Sequence, residues 1–354
     1  LKKSFLFCFA IIFTFRIVAQ IPPGYYDPAA GQTGLPLKIA LHNIIKNHTS
    51  VTYASLLNHF QTTDVQQNGN VWDMYSDVPG GVPPYQFSFG QNCGNYSGEG
   101  DCYNREHSWP SSWFGDATPM YTDMFHLYPT DGYVNNRRSN YPFGDVGTVT
   151  WTSLNGSKLG GCSDAGYSGI VFEPIDSFKG DFARSIFYMS VRYFTEDSGW
   201  PGSTMTTGAE INSWAIAVLK TWNDLDPVSQ KEVNRNNIVY TIQHNRNPFI
   251  DHPEWIDSVW TMPTAIYEES LTDKFIILPN PSSGFFSINC SQQTHTPITI
   301  LIYSTEGKEM LKKQINTTDQ TVKSNLDLSD FKKGIYFIKI ISINNVMRQK
   351  IVLQ

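Results

Sequence analysis

The chain has 354 residues, 40% of them hydrophobic, and a formal net charge of −6 at pH 7, a length that suits two or three domains. The charge is unevenly spread: residues 273–354 hold 10 Lys+Arg against 6 Asp+Glu, whereas residues 21–272 hold 13 against 26, a net of −13. That sign excludes a protein whose main task is gripping nucleic acid over a broad basic face, and it suits a secreted enzyme that touches polyanions only locally.

In chain order, residues 1–20 begin Lys2-Lys3, run largely apolar from Phe5 to Phe15 and reach Val18-Ala19-Gln20. A basic start, an apolar stretch and a small-residue cleavage site read as a removed signal peptide, too short to anchor in a bilayer. Leu1 in place of Met reads as an alternative start codon or a clipped fragment. No later segment approaches 18 apolar residues, so no stable membrane insertion is expected.

Leu37, Ala40, Leu41, Ile44 and Ile45 fall on one face at spacings of three and four and predict a helix. Tyr53 to Phe60 predicts a second, Val71 to Asp77 is β-like, and residues 78–103, rich in Gly, Pro, Asn and Tyr, predict a long loop. Within that loop Cys93 and Cys102 are close enough to close a small ring in an oxidising compartment; the alternative is two free buried thiols. No Cys-x-x-Cys occurs, which argues against zinc. Further on, Gly169 to Phe172 predicts a strand, and Asp181 to Tyr193 and Ala209 to Trp222 predict helices. Another is expected to start at Asp226-Pro227, with Asp226 as N-cap. From Phe275 onward short β-rich runs alternate with turns such as Asn280-Pro281-Ser282-Ser283-Gly284 and Glu306-Gly307-Lys308, predicting a small β-sandwich of five to seven strands.

Two stretches carry chemistry. Asn104-Arg105-Glu106-His107-Ser108-Trp109-Pro110 puts a carboxylate beside an imidazole. Imidazole takes a proton from water near neutral pH, and a carboxylate is a hard ligand for Mg²⁺ or Ca²⁺. Asp123 to Asn140 gathers amide, imidazole and guanidinium groups in 18 residues. Phosphodiester hydrolysis needs a base, a metal and cations on the phosphate. The residues supply His107, then Glu106 with an Asn, then Arg137 or Arg138; on composition alone a solvated polar loop is as good a reading of 123–140. In a regular strand Glu106 and His107 would face opposite sides, so either the strand is irregular or Glu106 reaches the metal from an unusual angle.

The Asn104–Pro110 and Asp123–Asn140 stretches, with Phe172-Glu173-Pro174, Lys179 to Arg184 and Gln243 to Phe249 in this order, resemble the bacterial endonuclease I family of the ββα-metal (His-Me finger) group. The resemblance covers residues 21 to about 260 and implies His107 as general base, with Glu106 and Asn135 as metal ligands. It also implies 5′-phosphate products and little sequence preference. The metal is expected to be Mg²⁺, with Ca²⁺ or Mn²⁺ as alternatives, and Arg184 and Arg138 are the first candidates to clamp the phosphate. His126 stands where many members have Asn and is read as holding its loop. Arg235 and Arg246 are read as structural, Trp109 as packed beside the site, and His252 as a turn or core residue.

Leu278 to Gly284, Ile302 to Lys308, Leu326 to Ser329 and Lys333 to Phe337 resemble the type IX secretion sorting domain, type A. This implies export across an outer membrane by the type IX machinery, to a secreted or cell-surface location. The expected organisation is a signal peptide (1–20), a nuclease domain (21–272) and a sorting domain (273–354). The expected fold class is α+β: a ββα-metal core in a mostly helical domain, then a small β-sandwich. The expected substrate is DNA, with RNA as a second candidate, and the sequence leaves the oligomeric state open while favouring a monomer. Two other readings remain: a catalytically inactive secreted nucleic-acid-binding protein or adhesin, and a phosphodiesterase for small nucleotides.

Overall fold

A computed structural model describes residues 21–261, 274–291, 298–305, 308–315, 321–341 and 346–354. The signal-peptide stretch and the Glu306-Gly307 turn lie outside the described residues. The chain divides into two compact units, Leu1–Met262 and Pro263–Gln354, of mixed helix and sheet, an α+β fold.

In the first unit, α1 (Gly34–Ile45) and α2 (Leu56–Thr63) precede a long irregular stretch. Val71–Asp77 is not a strand: Val71 makes one isolated bridge to Val65, and Asp73 instead accepts the Tyr75 amide to close a turn. β1 (Tyr103–His107) pairs antiparallel with β2 (Leu127–Asp131), and α3 (Gly132–Arg138) follows directly. Asp131 ends β2 and caps α3, its Oδ1 accepting the Val134 amide at 2.8 Å, a common way to satisfy a first-turn N–H. β3 (Val146–Thr152), β4 (Lys158–Cys162) and β5 (Ile170–Glu173) form an antiparallel sheet.

α4 (Asp176–Arg192) begins earlier than its apolar spacing shows and is buried on all sides from Phe178 onward, as suits a helix at the centre of a unit. A two-residue hairpin, β6 (Thr206–Thr207) with β7 (Glu210–Ile211), leads to α5 (Ser213–Leu225), α6 (Gln230–Gln243), α7 (Pro248–Asp251) and α8 (Trp255–Val259). α6 does not start at Asp226. Ser229 and Glu232 form a reciprocal capping box there, which satisfies two orphan donors at once, while Asp226 accepts the Gly180 amide of α4.

Among its described residues the second unit has seven strands: β8 (Lys274–Leu278), β9 (Phe285–Ser291), β10 (Ile298–Tyr303), β11 (Glu309–Ile315), β12 (Thr321–Asp327), β13 (Gly334–Ile341) and β14 (Val346–Leu353). They form sheets ordered β11-β10-β13-β14 and β12-β9-β8. Alternation places Tyr336, Ile338 and Ile340 inward, against Ile277, Ile288 and Leu326 of the other sheet, and leaves Ile335 and Phe337 exposed. Among the described residues no helix is long and apolar enough to cross a membrane.

Candidate active site

β1 and β2 pair without a register shift, Glu106 opposite Tyr128 and His107 opposite Leu127. The strand is therefore regular, so Glu106 and His107 leave it on opposite faces and an ion beside His107 would be reached by Glu106 only from an unusual angle. Glu106 is buried, its Oε1 accepting the Tyr75 hydroxyl at 2.9 Å and lying 3.2 Å from Arg138 Nη1. Burial pushes its carboxyl up to about 7, against the lowering fields of Arg138 and the Tyr75 hydrogen bond. His107 lies among aromatic rings: parallel to Tyr53 at 6.3 Å, with Tyr121 at 5.0 Å, His126 at 5.4 Å and Phe114 at 6.3 Å. Its Nε2 sits 3.1 Å from the Tyr121 carbonyl. A carbonyl only accepts, so Nε2 carries the proton and Nδ1 keeps its lone pair. Desolvation, then the neighbouring His126, lowers its pKa to about 3, so the ring is neutral at physiological pH.

α3 lies along the edge of β1 that β2 leaves free. Asn135 Nδ2 donates to the Arg105 carbonyl at 3.2 Å, and one helical turn on, Arg138 Nη1 donates to the His107 carbonyl at 2.9 Å. Arg138 Nη2 reaches the Ser108 carbonyl at 2.6 Å. Two carbonyls two residues apart on a strand face the same edge, so one helix face reads both. With Nδ2 engaged, Asn135 has its Oδ1 left for a ligand.

The structure thus brings Glu106, His107, Asn135 and Arg138 to one strand-and-helix junction and places both candidate phosphate arginines in buried ion pairs. Arg138 is 1% exposed; its Nη1 and Nη2 bond two carbonyls and Nη1 lies beside Glu106, while the buried Nε has no hydrogen-bond partner. Arg184 is 0% exposed: Nε and Nη2 bind Glu232 at 2.6 and 2.8 Å, and Nη1 binds Asn223 and the Asp226 carbonyl. Both guanidinium groups are closed off from solvent. Arg235 pairs with Asp64 and Arg246 with Asp251, both buried. Trp109 is fully buried between Trp113 and Trp200. His126 is fully buried, its Nε2 bonding the Met120 carbonyl at 2.7 Å. It therefore steadies the turn whose next residue, Tyr121, orients His107. His252 stacks on Trp255 at 4.0 Å.

Cys93 and Cys102 form a disulfide. Cys102 immediately precedes β1, and its carbonyl accepts the Gly132 amide at 2.9 Å. The Tyr96 ring from the stapled loop covers Gly132, where any Cβ would stand 2.7 Å from it. The loop therefore braces the start of the helix that carries Asn135.

Sequence reasoning missed three residues: Tyr75, which holds Glu106; Tyr53, which lies against His107; and Asp73, which accepts the Asp131 amide at 3.0 Å where β2 meets α3. None lies in a periodic or motif-like pattern that could have marked it. Among the described residues no group of three or more His, Cys, Asp or Glu side chains could hold a metal ion. An ion at this junction would rest on one carboxylate, one amide oxygen and water. Those are hard donors, few in number, as Mg²⁺ accepts, and a buried carboxyl raised to about 7 gains from a cation. The donor types of Glu106 and Asn135 are those such an ion takes.

Residues 33–254 match the family model described as Endonuclease I, and residues 276–354 the one described as Secretion system C-terminal sorting domain. The chain is similar to an extracellular ribonuclease of Bacillus amyloliquefaciens, 39% identical over 245 residues, 67% of this chain and 78% of that one. It is similar to the same extent to an extracellular ribonuclease of Bacillus subtilis. A periplasmic deoxyribonuclease of Aeromonas hydrophila is 24% identical over 176 residues, 48% of this chain and 60% of that one.

Proposed function

This chain belongs to the endonuclease I family and carries a C-terminal sorting domain that marks it as secreted or cell-surface, and on that basis we propose that it is a metal-dependent, largely sequence-nonspecific endonuclease acting on DNA and RNA. We read β1, β2 and α3 as its ββα-metal unit. The observation that carries the reading is the tautomer of His107: Nε2–H is held by the Tyr121 carbonyl, leaving a neutral, unprotonated Nδ1 as base.

Glu106 and Asn135 would hold the divalent cation, Mg²⁺ by the hardness of the two oxygens. When bound it supplies charge stabilisation at the leaving 3′ oxygen. His107 takes the proton of the attacking water at Nδ1, and the products carry 5′-phosphates. Tyr75 and Arg138 fix the Glu106 carboxylate, and Arg138 also locks the β1 backbone to α3. The extracellular ribonucleases and the deoxyribonuclease among its relatives support both substrates. The test is digestion of supercoiled plasmid and single-stranded RNA in Mg²⁺, in EDTA, and after Mg²⁺ is restored. Cleavage that stops in EDTA and returns with Mg²⁺ is expected. Undiminished cleavage in EDTA overturns the metal dependence; no cleavage of either substrate overturns the nuclease.

A further inference from the structure

Residues 21–272 hold 13 Lys+Arg, and ten of them are ion-paired with carboxylates. Among the described residues the three exceptions are Lys46, bonded to Asn43, and Arg105 and Arg137. In a domain of net −13 an arginine without a carboxylate is unusual, and these two share a second feature: each lies over an aromatic ring. The Arg105 guanidinium is 3.9 Å from the Tyr53 ring centroid, and its buried Nε has no hydrogen-bond partner. The exposed Arg137 lies 5.4 Å from Tyr133 and 5.5 Å from Trp151.

Their places are also paired. Arg105 is one residue before Glu106, and the Tyr53 ring that it covers is parallel to the His107 imidazole at 6.3 Å. Tyr133 and Arg137 are four apart on α3 and so share one flank, facing Trp151 of β3. Asn135 turns to the β1 side, about 200° from Tyr133 at 100° per residue. Arg105 therefore lies on the β1 side of α3, beside Glu106, and the Tyr133–Arg137 group on the flank of α3 turned away from Asn135, across a helix about 10 Å wide.

We propose that these two platforms, Arg105 on Tyr53 and Arg137 on Tyr133 and Trp151, bind a single nucleic-acid strand on either side of the scissile phosphate, so that the enzyme favours unpaired over duplex substrate. The proposal rests on the nuclease reading. Neither guanidinium is in an ion pair among the described residues, although Arg105 Nη1 donates to the Tyr53 carbonyl at 3.2 Å and Glu99 feels the charge of Arg137, so each has charge to offer a phosphate oxygen. Rings and guanidinium planes accept unpaired bases by stacking, which is sequence-tolerant because every base has a π-face. A duplex hides those faces in its own stack, so it can use only the charge. This arrangement supplies local attraction while the rest of the acidic surface repels polyanions, favouring a strand thin enough to touch only the junction.

The test compares kinetics on a single-stranded 12-nucleotide deoxyoligomer, the same sequence as a duplex, and a dinucleotide, for wild type, Arg137→Ala, Trp151→Ala, Trp151→Phe and Arg105→Gln. Wild type is expected to cut the single strand with the higher kcat/KM. Arg137→Ala and Trp151→Ala raise KM for the single strand by roughly tenfold, lose less on the duplex, and lose less again on the dinucleotide; Trp151→Phe restores most of the loss. Arg137→Ala also flattens the dependence of log KM on log salt by about 0.7. Arg137 is exposed, so its variant tests the proposal even if a Trp151 variant fails to fold. Equal losses on single strand and duplex, or none, overturn the proposal while leaving a working nuclease. A wild type that cuts none of the three overturns the nuclease reading and this proposal with it.

Discussion

The interior around α4 and α6 and the rim of the β1–α3 junction use arginine in opposite ways. Inside, Arg184, Arg235 and Arg246 are buried and bonded to Glu232, Asp64 and Asp251. At the rim, Arg105 and Arg137 lie over aromatic rings, as Arg235 and Arg246 do, but form no ion pair with a carboxylate among the described residues. Arg138 belongs to the interior class although it adjoins Arg137 in sequence, because one step along a helix turns a side chain by about 100°. The difference teaches that in an acidic domain most arginines are consumed as structure, and position in a motif does not say which are free. The buried pairs hold helices in register, and removing one partner strands a charge; the rim pair leaves charge available.

The largest expected effect breaks an interior pair. Arg184→Met leaves Glu232 buried without its partner and should cost about 3–5 kcal/mol of unfolding free energy, measured by denaturant titration. A loss of activity with unchanged stability would return Arg184 to the site. Next, serine at both Cys93 and Cys102 should cost about 2–3 kcal/mol for a ring this small, seen as a lower melting temperature. An unchanged melting temperature would mean the 93–102 loop does not brace α3. Tyr75→Phe deletes the hydroxyl that holds Glu106 and should lower Mg²⁺ affinity or activity by about 10–100-fold with little change in melting temperature. A wild-type Mg²⁺ titration would remove Tyr75 from the site's support.

The smallest effect is in pH. Burial lowers the pKa of His42, His48, His126 and His107. The unfolded chain takes protons below about 6.5 that the folded one refuses, so these groups lose stability as pH falls. Burial raises Asp73 and Glu106 to about 7. Their contribution has the opposite sign: present below the unfolded carboxyl pKa and lost as pH rises through 7. Between about pH 4.5 and 6.5 the two sets oppose, so metal-free stability should change little there. Below about pH 4 the raised carboxyls are protonated in both states. The imidazoles then act alone with Asp123, which burial opposes but His48, His126 and its hydrogen bonds hold at about 2, so stability should drop steeply. A steady decline starting at pH 6.5, by chemical denaturation in EDTA, would contradict protonated native carboxyls.

Much of this was legible from sequence because it is local. The helical faces of α1 and α4, the β5 strand, the Cys93–Cys102 pairing and the C-terminal alternation follow from spacing. Glu106, His107 and Asn135 were marked by motif, and the structure brings them to one junction. What was not legible depends on distant partners. Tyr75 is 31 residues from Glu106, and Glu232 is 48 from Arg184; no periodicity encodes such pairs. The N-cap of α6 was misplaced because Asp226-Pro227 looks like a start, while Ser229 wins through its reciprocal bonds with Glu232. The fates of Arg138 and Arg184 were unreadable for the same reason: a guanidinium looks alike in sequence whether its partner is a phosphate or a buried glutamate.

The central claim is that His107, held by the Tyr121 carbonyl, is the base. Single-turnover cleavage by His107→Ala, measured with Mg²⁺ saturating and alongside the melting temperature, tests it most directly. The account predicts a fall in rate of about 10²–10⁴-fold with melting temperature and Mg²⁺ binding close to wild type. Cleavage at the wild-type rate by the folded variant would contradict it.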